Sequence, residues 1–371
     1  MWDHFFLNYC SFLLALKSSD QNNQRIMKKP AQSSHPRLTV AALVAGACFI
    51  YYYQQRRFRR RRRSNDGDVL QSGAGIPEFD AHNIPDKETL HRVFHDEAGC
   101  FIVRGAFNLE TMDAVNAWTE KTMVACESDG NFRHPKQKSK RMINDVMERM
   151  SSDDPNLLAE LLLNRTLTYV WDALLGFGKI GAATVHWIDP GGARQTTHVD
   201  YPCHVQSGPC WRDDPDMLLK YFTPYQLDKV LPYFSVQTVV ACDAMSEANG
   251  STECIPGSHL TPSLDVKILD KDFRKRIESL FQNTNLAQGD LFFFNRRLAH
   301  RGGHNKSSKR RNAIIFQNVF LFGVGQHATH VEEIMAKLEK TDAVKELSDE
   351  ARHDLRWRLR SPYPLDTRQT T

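Results

Sequence analysis

The sequence lacks the cysteine patterns that usually hold a metal cluster or a small disulfide-bonded domain. Its eight cysteines are scattered, and neither a C-x-x-C pair nor a zinc-finger spacing occurs among them. In a chain of 371 residues, such cysteines are typical of buried thiols in a reducing compartment. Cys203 and Cys210 are close enough in sequence to form a bridge, but spacing alone does not decide whether they do.

An excess of charge of one sign is also missing from most of the chain. The net charge is +4, and the seven arginines between Arg56 and Arg63 contribute +7 to it, so all other residues together carry −3. A slightly acidic folded part gives no electrostatic reason to expect a nucleic-acid partner. Hydrophobic residues make up 41% and charged residues 25% of the chain, which is ordinary for a globular protein.

One uncharged apolar run raises the question of a membrane. It reads LTVAALVAGACFIYYY from Leu38 to Tyr53, and as a helix it would be roughly 24 Å long, slightly short of a bilayer core of about 30 Å. Its tyrosines stand where an aromatic belt is expected, and RRFRRRRR follows at once. Because buried core helices rarely end in so many arginines, we predict a single-pass N-terminal membrane helix over residues 38–53.

The arginine run also predicts the orientation of this helix, with the large carboxyl-terminal part in the cytoplasm. A start at Met27 would give an ordinary signal anchor. A mitochondrial presequence is an alternative that the acidic residues Asp3 and Asp20 disfavour. The Gly/Ser/Asp-rich stretch 64–75 is typical of a linker. We therefore predict an N-terminal segment over 1–75, a main domain over 76–328 and a helical extension over 329–371.

The main domain begins with helical periodicity and continues with short strands. Asp86–Ala98 and Leu109–Met123 predict helices, and Asp154–Gly176 predicts one longer helix that ends at its glycine. After Gly176 the pattern changes to short apolar runs separated by Gly, Pro and Asn. This order predicts an α+β, mainly β fold: a β-sandwich or jelly roll with helical cover on one side. The charged helical segment that follows residue 330 is expected to be a solvated surface element.

The stretch RQTTHVDYP, residues 194–202, contains the first candidate metal ligands. In an extended segment residues i and i+2 face the same way, so His198 and Asp200 can present an imidazole and a carboxylate to one point. A third ligand must come from a distant segment, and the candidate is His300 in QGDLFFFNRRLAH. Two histidines and one carboxylate form the facial triad of non-haem Fe(II) oxygenases. The lack of sulfur ligands argues against a structural zinc site.

Each of these pieces could occur by chance in a chain with fifteen histidines. Their combination, however, resembles the phytanoyl-CoA dioxygenase family of Fe(II)/2-oxoglutarate-dependent oxygenases over residues 76 to about 325. The resemblance rests on PGGARQTTHVD, NGSTECIPGSH, QGDLFFFNRRLAH and HRGGHNKSSKRR, which follow one another in the order of the family pattern. It implies a double-stranded β-helix (jelly roll).

The resemblance also implies the roles of individual residues. His198, Asp200 and His300 match the iron ligands. Arg311 matches the arginine whose planar fork pairs with the far carboxylate of 2-oxoglutarate. Arg310 leaves that register open by one residue, and His304 is a rival for the distal histidine.

Two positions depart from the family pattern. Gly302 stands where many members have a small hydroxyl residue, so one hydrogen bond to the co-substrate is absent or replaced. On a strand where many members have an aromatic residue, either Gln237 or Thr238 would face the pocket. Gln237 is either a co-substrate or substrate contact or an ordinary polar strand position. The P-G-S-H turn that ends at His259 is expected to be structural.

The implied activity is hydroxylation with Fe(II), 2-oxoglutarate and O2. The aromatic and leucine residues of the segment 201–234, which follows the His-x-Asp motif, either favour a partly apolar small-molecule or lipid-like substrate or serve only to pack the loop. Two alternatives stay open. One is a membrane-tethered binding protein of the same fold with an inactive site. The other is a zinc hydrolase that uses the same His/Asp/His set and has no need of Arg311.

Overall fold

The computed structural model describes residues 75–129, 140–176, 178–200, 235–262, 264–319 and 331–359. The predicted membrane segment 38–53 and the arginine run lie outside the described residues, as do residues 201–234 with Cys203 and Cys210. In the ranges that are described, no helix combines the length and the apolar character needed to cross a membrane. The four cysteines in these ranges are buried free thiols, as the sequence predicted: Cys100, Cys126, Cys242 and Cys254.

The amino-terminal half of the described chain mixes helices with three short strands. The elements are β1 (Glu78–Asp80), α1 (Lys87–Asp96), β2 (Cys100–Arg104), α2 (Leu109–Asp129), β3 (Lys140–Ile143), α3 (Val146–Asp153), α4 (Pro155–Leu162) and α5 (Arg165–Leu175). The expectation that strands begin only after Gly176 is therefore wrong. A local signal for β2 was present, because its five residues lie between Gly99 and Gly105, which both adopt positive φ angles.

The single long helix predicted over Asp154–Gly176 is two helices. Asn164 separates α4 from α5, and its Oδ1 accepts a hydrogen bond from the backbone N–H of Leu167, so that Asn164 is the N-cap of α5. An asparagine side chain competes with the helical backbone for hydrogen bonds, which favours a break at this position. The predicted glycine end is confirmed, since Gly176 is the C-cap with a φ of 77°.

The later half of the described chain supplies most of the strands. They are β4 (Lys179–Ile188), β5 (Ser235–Ala241), β6 (Thr252–Cys254), β7 (Gln282–Asn283), β8 (Leu291–Asn295), β9 (His300–Gly302) and β10 (Arg311–Val319). The helices are α6 (Leu264–Lys267), α7 (Lys271–Arg276), α8 (Val331–Leu338), α9 (Asp342–Lys345) and α10 (Asp349–Leu359), with short 3-10 turns at Ser258–Leu260 and Glu278–Leu280.

The strands form two sheets, so the fold is mixed α and β, as predicted. The larger sheet has seven strands in the order β1-β2-β8-β5-β10-β4-β3, and the smaller has three in the order β7-β6-β9. All pairs are antiparallel except β1 with β2.

The two faces of the larger sheet have different neighbours. On one face, the indole Nε1 of Trp171 in α5 donates to Thr238, and its ring meets Phe316 at 5.5 Å. On the other face, Phe294 of β8 contacts the ring of His300 in the smaller sheet at 4.6 Å. Helices therefore cover the outer face, and the inner face looks toward the smaller sheet.

The carboxyl-terminal helices are part of the core, so the expectation of a solvated surface element is wrong. Their buried apolar residues join the main hydrophobic cluster: Val331, Ile334, Met335, Leu338, Val344, Leu355 and Leu359. The guanidinium of Arg358 is buried as well and forms an ion pair with Asp172 at 2.6 Å. The high charge of this segment hid an apolar stripe at helical spacing.

Candidate active site

The segment that contains the His-x-Asp motif lies along β9 and is joined to it by an isolated antiparallel β-bridge between His198 and His300. His198 and His300 exchange both of their backbone hydrogen bonds, each at 3.0 Å. The N–H of Gln195 donates to the carbonyl of Gly302, and the N–H of Asp200 donates to the carbonyl of Arg296. In a directly opposed antiparallel pair the two side chains leave on the same face, which brings the imidazoles together.

The backbone pairing gathers the three predicted metal ligands. One ligand atom from each of His198, Asp200 and His300 lies within 4.8 Å of the others. The Nε2 of His198 is 3.6 Å from Oδ1 of Asp200, and the Nε2 of His300 is 3.4 Å from Oδ2. Donor atoms about 2.1 Å from one metal ion and at right angles to each other would be about 3 Å apart. The triad is therefore close to the spacing that a metal requires.

The other ring nitrogen of each histidine fixes which nitrogen faces the metal position. The Nδ1 of His198 is 2.8 Å from the carbonyl oxygen of Thr196, and the Nδ1 of His300 is 2.9 Å from that of Leu298. A carbonyl oxygen only accepts, so each Nδ1 carries the proton and donates. Each Nε2 then has its lone pair free for a metal ion, which is the usual arrangement of metal-bound histidines.

Electrostatics keep the third ligand in its charged form. Burial by itself would raise the pKa of Asp200. The opposing effects are together larger: the electrostatic attraction and hydrogen bond of His300, then the attraction of His198 and Arg296, hold the pKa of Asp200 far below its usual range in the metal-free site. A hard carboxylate oxygen with two imidazole nitrogens suits Fe(II), so these residues fit the metal that the sequence implied.

The adjacent residues Arg310 and Arg311 have different surroundings. Arg311 is the first residue of β10, and Arg310 immediately precedes it. Arg311 is buried, with 4% exposure, and its Nη2 donates to the carbonyl of Gly250 at 2.6 Å. Its Nε has no partner. Arg310 points to the surface, where it pairs with Glu120 and stacks 4.1 Å above the Trp187 ring. Alternation along the strand thus directs Arg311 into the interior and Arg310 to the surface. Of the two arginines that the sequence left open, Arg311 is the one that faces the site.

Burial makes the protonated form of Arg311 less favourable, but the guanidinium stays charged. It lowers the pKa of the guanidinium to about 10, and the nearby charge of Asp243 opposes this shift. The side chain is therefore a desolvated cation at neutral pH with an unpartnered donor. This is what a bidentate carboxylate ligand needs.

The N-G turn of the family pattern has a structural reason. Gly250 has a φ of 81°, and a Cβ atom there would lie 2.9 Å from the carbonyl oxygen of Gly303. Any side chain would push the turn away from the segment that follows β9. Because the carbonyl of Gly250 holds Arg311, the turn positions the guanidinium.

The P-G-S-H turn supports the distal histidine without binding metal. The Oγ of Ser258 accepts from the backbone N–H of Ala299, next to His300. His259 is buried elsewhere, and its backbone carbonyl accepts from Arg297 at 2.6 Å. Neither His259 nor the rival His304 belongs to the group of three possible ligands that the described residues contain.

Gln237 lies on the inner face, but not at the level of Arg311. It pairs with Phe294 and with Gln317 across the sheet. Gln317 is six residues from Arg311 along β10, which corresponds to roughly 20 Å of strand. The Oε1 of Gln237 is buried without a partner. A co-substrate contact by Gln237 stays a prediction, and its position favours the end of the site away from Arg311.

Gln195 is a residue that the sequence reasoning missed. Its Oε1 accepts from the N–H of Gly302 at 2.6 Å, and a Cβ atom at Gly302 would lie 2.8 Å from that oxygen. The Gln195 amide therefore occupies the space of the side chain that Gly302 lacks. A signal was available in the motif itself, because Gln195 stands three residues before His198.

A charged cluster on the opposite side of β9 holds the same segments together. Arg301, next to His300, pairs with buried Glu253 at 2.5 Å and with Glu278 at 2.7 Å. Arg194, four residues before His198, reaches the same Glu253 at 3.0 Å. The cluster links the His-x-Asp segment to β6 and β9 from outside and so restricts movement of the triad.

Comparisons with known proteins agree with this geometry. The family model described as Phytanoyl-CoA dioxygenase (PhyH) matches residues 95–313. Dioxygenase aneA of Aspergillus aculeatus is 25% identical over 223 residues, which cover 57% of this chain and 65% of that protein. The chain thus matches just under two thirds of the length of this relative.

Two solved structures are similar at low identity. The non-heme alpha ketoglutarate dependent carbocyclase SnoK from nogalamycin biosynthesis has a TM-score of 0.48 and 16% identity, covering 67% of this chain and 88% of that one. AviO1 from Streptomyces viridochromogenes Tue57 has a TM-score of 0.45 and 17% identity, covering 63% and 95%. Because the family model matches more than half of the chain, the protein belongs to the phytanoyl-CoA dioxygenase (PhyH) family of oxygenases, whose cofactors are Fe(II), 2-oxoglutarate and O2.

Proposed function

We propose that this protein is an Fe(II)- and 2-oxoglutarate-dependent dioxygenase that hydroxylates a partly apolar small-molecule or lipid-like substrate. The observation that carries the proposal is the approach of His198, Asp200 and His300, whose ligand atoms lie within 4.8 Å of one another. A facial set of three ligands leaves other coordination positions open, and Fe(II) with 2-oxoglutarate and O2 supplies oxidising chemistry at such positions.

The chain itself would bind, orient and enclose the reactants. The imidazoles of His198 and His300 and the carboxylate of Asp200 hold the metal. Arg311 holds the far carboxylate of 2-oxoglutarate by a charge-assisted pair, for which its unpartnered Nε and its buried position are suited. Because Arg311 and the triad are fixed by β10 and β9, the co-substrate would be bound in one orientation.

The finer description of the fold belongs to the same proposal. The seven-stranded and three-stranded sheets, facing each other through Phe294 and His300, would be the two halves of a double-stranded β-helix (jelly roll). In this arrangement the metal lies at the smaller sheet and Arg311 on the larger. The partly apolar substrate is supported by Phe294 and half-buried Ile315 on the inner face.

The test is 2-oxoglutarate turnover by the full chain after anaerobic loading with Fe(II). We expect succinate formation that requires iron and O2. The inactive-protein alternative predicts iron-independent binding without succinate. The zinc alternative predicts hydrolysis with zinc that survives Arg311→Ala. The control is Arg310→Ala, which removes an exposed guanidinium one residue away.

We also propose that residues 38–53 anchor the protein in a membrane with the catalytic domain in the cytoplasm. The arginine run after Tyr53 supports this orientation. A second support comes from three Asn-x-Ser/Thr sequons, because the Nδ2 atoms of Asn164, Asn249 and Asn305 all donate to backbone carbonyls. A glycan replaces one of the two Nδ2 hydrogens, so it would break a hydrogen bond of buried Asn305, which uses both.

The anchor and its orientation are tested separately on the full chain made in a eukaryotic cell. Resistance to alkaline carbonate extraction is expected, and release into the soluble fraction would remove the anchor. A mass shift after glycosidase treatment would place the domain on the luminal side. A mitochondrial location, the alternative, would appear as co-fractionation with mitochondria.

A further inference from the structure

Two arginines in a row follow β8, and both are buried, but only one is well bonded. Arg297 donates to the carbonyl oxygen of His259 at 2.6 Å and to that of Thr261 at 2.8 Å. Within the described ranges, Arg296 makes two contacts, both longer than those of Arg297: to Oε1 of Gln317 at 3.4 Å and to the carbonyl oxygen of Asp200 at 3.2 Å. Its Nε has no hydrogen-bond partner, although Arg296 is 2% exposed. Short hydrogen bonds to backbone carbonyls are what a purely structural guanidinium needs. Arg297 makes such bonds, and Arg296 makes weaker ones.

The Arg296 guanidinium lies between the metal ligands and the larger sheet. One end contacts the backbone of Asp200, and the other reaches Gln317 on β10. Gln237 is the cross-strand partner of Gln317, so both amides are on the inner face. The Oε1 of Gln237 is also buried without a partner. An amide can be turned by 180° without a change in shape, so this position can equally offer a donor.

A buried cation needs a counter-charge, and the part of the chain that the structure describes gives Arg296 no paired carboxylate. Among the described residues, no carboxylate forms an ion pair with it. Arg296 interacts electrostatically with Asp200, whose charge a bound metal ion would neutralise. Because an unpaired buried charge is costly, the loaded site would favour an anionic ligand next to Arg296.

We propose that Arg296, with the amides of Gln237 and Gln317, binds a carboxylate of the substrate, so that the enzyme acts on a carboxylic acid with an apolar body. This inference rests on the proposed function and names its substrate class. A carboxylate fits better than a phosphate, because one guanidinium with two neutral amides matches a single negative charge. The long contacts of the two Nη groups are weak enough to be exchanged for the charge-assisted bonds of a carboxylate.

The position of the subsite would also orient the substrate. The carboxylate would lie roughly six strand residues from Arg311, so the two acids in the site, co-substrate and substrate, would occupy opposite ends. The apolar body would lie along Ile315 and Phe294, and the ring of Phe294 is 4.6 Å from that of His300. Oxidation would then take place at a carbon a short distance from the carboxylate rather than at the far end of a long chain.

The experiment uses two probes of the same shape, octanoate and octanamide. Each is titrated calorimetrically, without oxygen, into the full chain loaded with Fe(II) and saturating 2-oxoglutarate. Metal analysis and 2-oxoglutarate titration come first. If the protein binds neither iron nor 2-oxoglutarate, the proposed function is wrong. If it binds both but shows no preference between the probes, only this inference is wrong. We expect octanoate to bind about 10-fold to 100-fold more tightly than octanamide, as charge-assisted hydrogen bonds typically provide.

Three variants assign the preference to Arg296. Arg296→Met keeps the volume and removes the charge, so the preference for octanoate should disappear. The matched control Arg310→Met, on the surface, should retain it. Gln237→Glu would give Arg296 an internal carboxylate and should also abolish the preference, which decides the question if Arg296→Met does not fold or loses iron. The inference is overturned if the wild type shows no preference, if Gln237→Glu keeps it, or if octanoate displaces 2-oxoglutarate and so binds at Arg311.

Discussion

The metal cluster and the Arg296 region lie side by side, but the fold treats their polar groups differently. The metal ligands are held by outer hydrogen bonds: both Nδ1 atoms donate to carbonyls, and His198 and His300 exchange both backbone hydrogen bonds. Around Arg296 and Gln237, buried polar atoms remain without partners. Native proteins leave few such atoms, and each requires an explanation, such as a catalytic role or a bound water or ion.

The difference shows two ways in which a protein prepares for a ligand. A metal ion is small and directional, so its ligands must be held in advance by outer hydrogen bonds. An organic ligand brings its own hydrogen-bonding groups, so its site can keep donors unpaired until it arrives. The predictions below test this contrast, beginning with the largest expected effect.

Removal of any metal ligand should abolish function at the metal cluster, the region whose supporting hydrogen bonds are formed in advance. We expect His198→Ala, Asp200→Ala and His300→Ala each to lower iron affinity by well over the roughly 10–100-fold that loss of an outer partner costs. Succinate formation should be abolished while the fold persists. Iron content after gel filtration and circular dichroism are the measurements. Near-full iron content in any one variant would show that its side chain is not a ligand.

Loss of the Arg311 guanidinium should weaken co-substrate binding without affecting iron. Arg311→Ala removes a charge-assisted pair of about 1.5–3 kcal/mol, so 2-oxoglutarate affinity should fall roughly 10–100-fold. Arg310→Ala should change it little, because Arg310 is on the surface. Calorimetric titration of 2-oxoglutarate compares the two variants. A larger effect from Arg310→Ala would move the carboxylate contact to that residue.

The charge state of Asp200 gives a pH test of the metal cluster. The pKa of Asp200 is lowered far below its usual range, so its carboxylate is already charged throughout the neutral and mildly acidic range. We therefore expect iron retention to show no one-proton step near about pH 3.9, where an ordinary aspartate titrates. Iron content after equilibration between about pH 5 and about pH 3 is the measurement. A one-proton loss of iron centred near about pH 4 would show that Asp200 titrates as an ordinary carboxyl.

The smallest effect is expected at Gln195. Gln195→Ala removes one hydrogen bond to the backbone of Gly302, which costs about 1 kcal/mol. Because the backbone pairing of His198 and His300 remains, iron affinity should change only a few-fold. Thermal unfolding and iron titration measure the two effects. A loss of iron as large as that of a triad variant would mean that Gln195 has a more direct role at the metal.

The sequence by itself determined the composition of the site and much of its geometry. The spacing of His198 and Asp200 predicts a shared face, and alternation along a strand is a local property of the backbone. The order of the motifs along the chain identified His300 as the distal ligand and indicated the family. Helix α1 was also predictable, since its apolar spacing and its N-cap Asp86 are local signals.

Only the tertiary structure decided which neighbours these residues have. The choice of Arg311 over Arg310 depends on which face of β10 looks inward. The local cap of Asn164 favours the break between α4 and α5, and the contact of its Nδ2 with the carbonyl of Ala106 is set by the tertiary structure. The burial of the charged C-terminal helices depends on a core that other segments build. That Arg296 lacks partners while Arg297 has them is likewise invisible in the sequence. Two identical side chains differ only in what distant segments bring to them, because hydrogen bonds and burial are set by contacts across the fold and not by position along the chain.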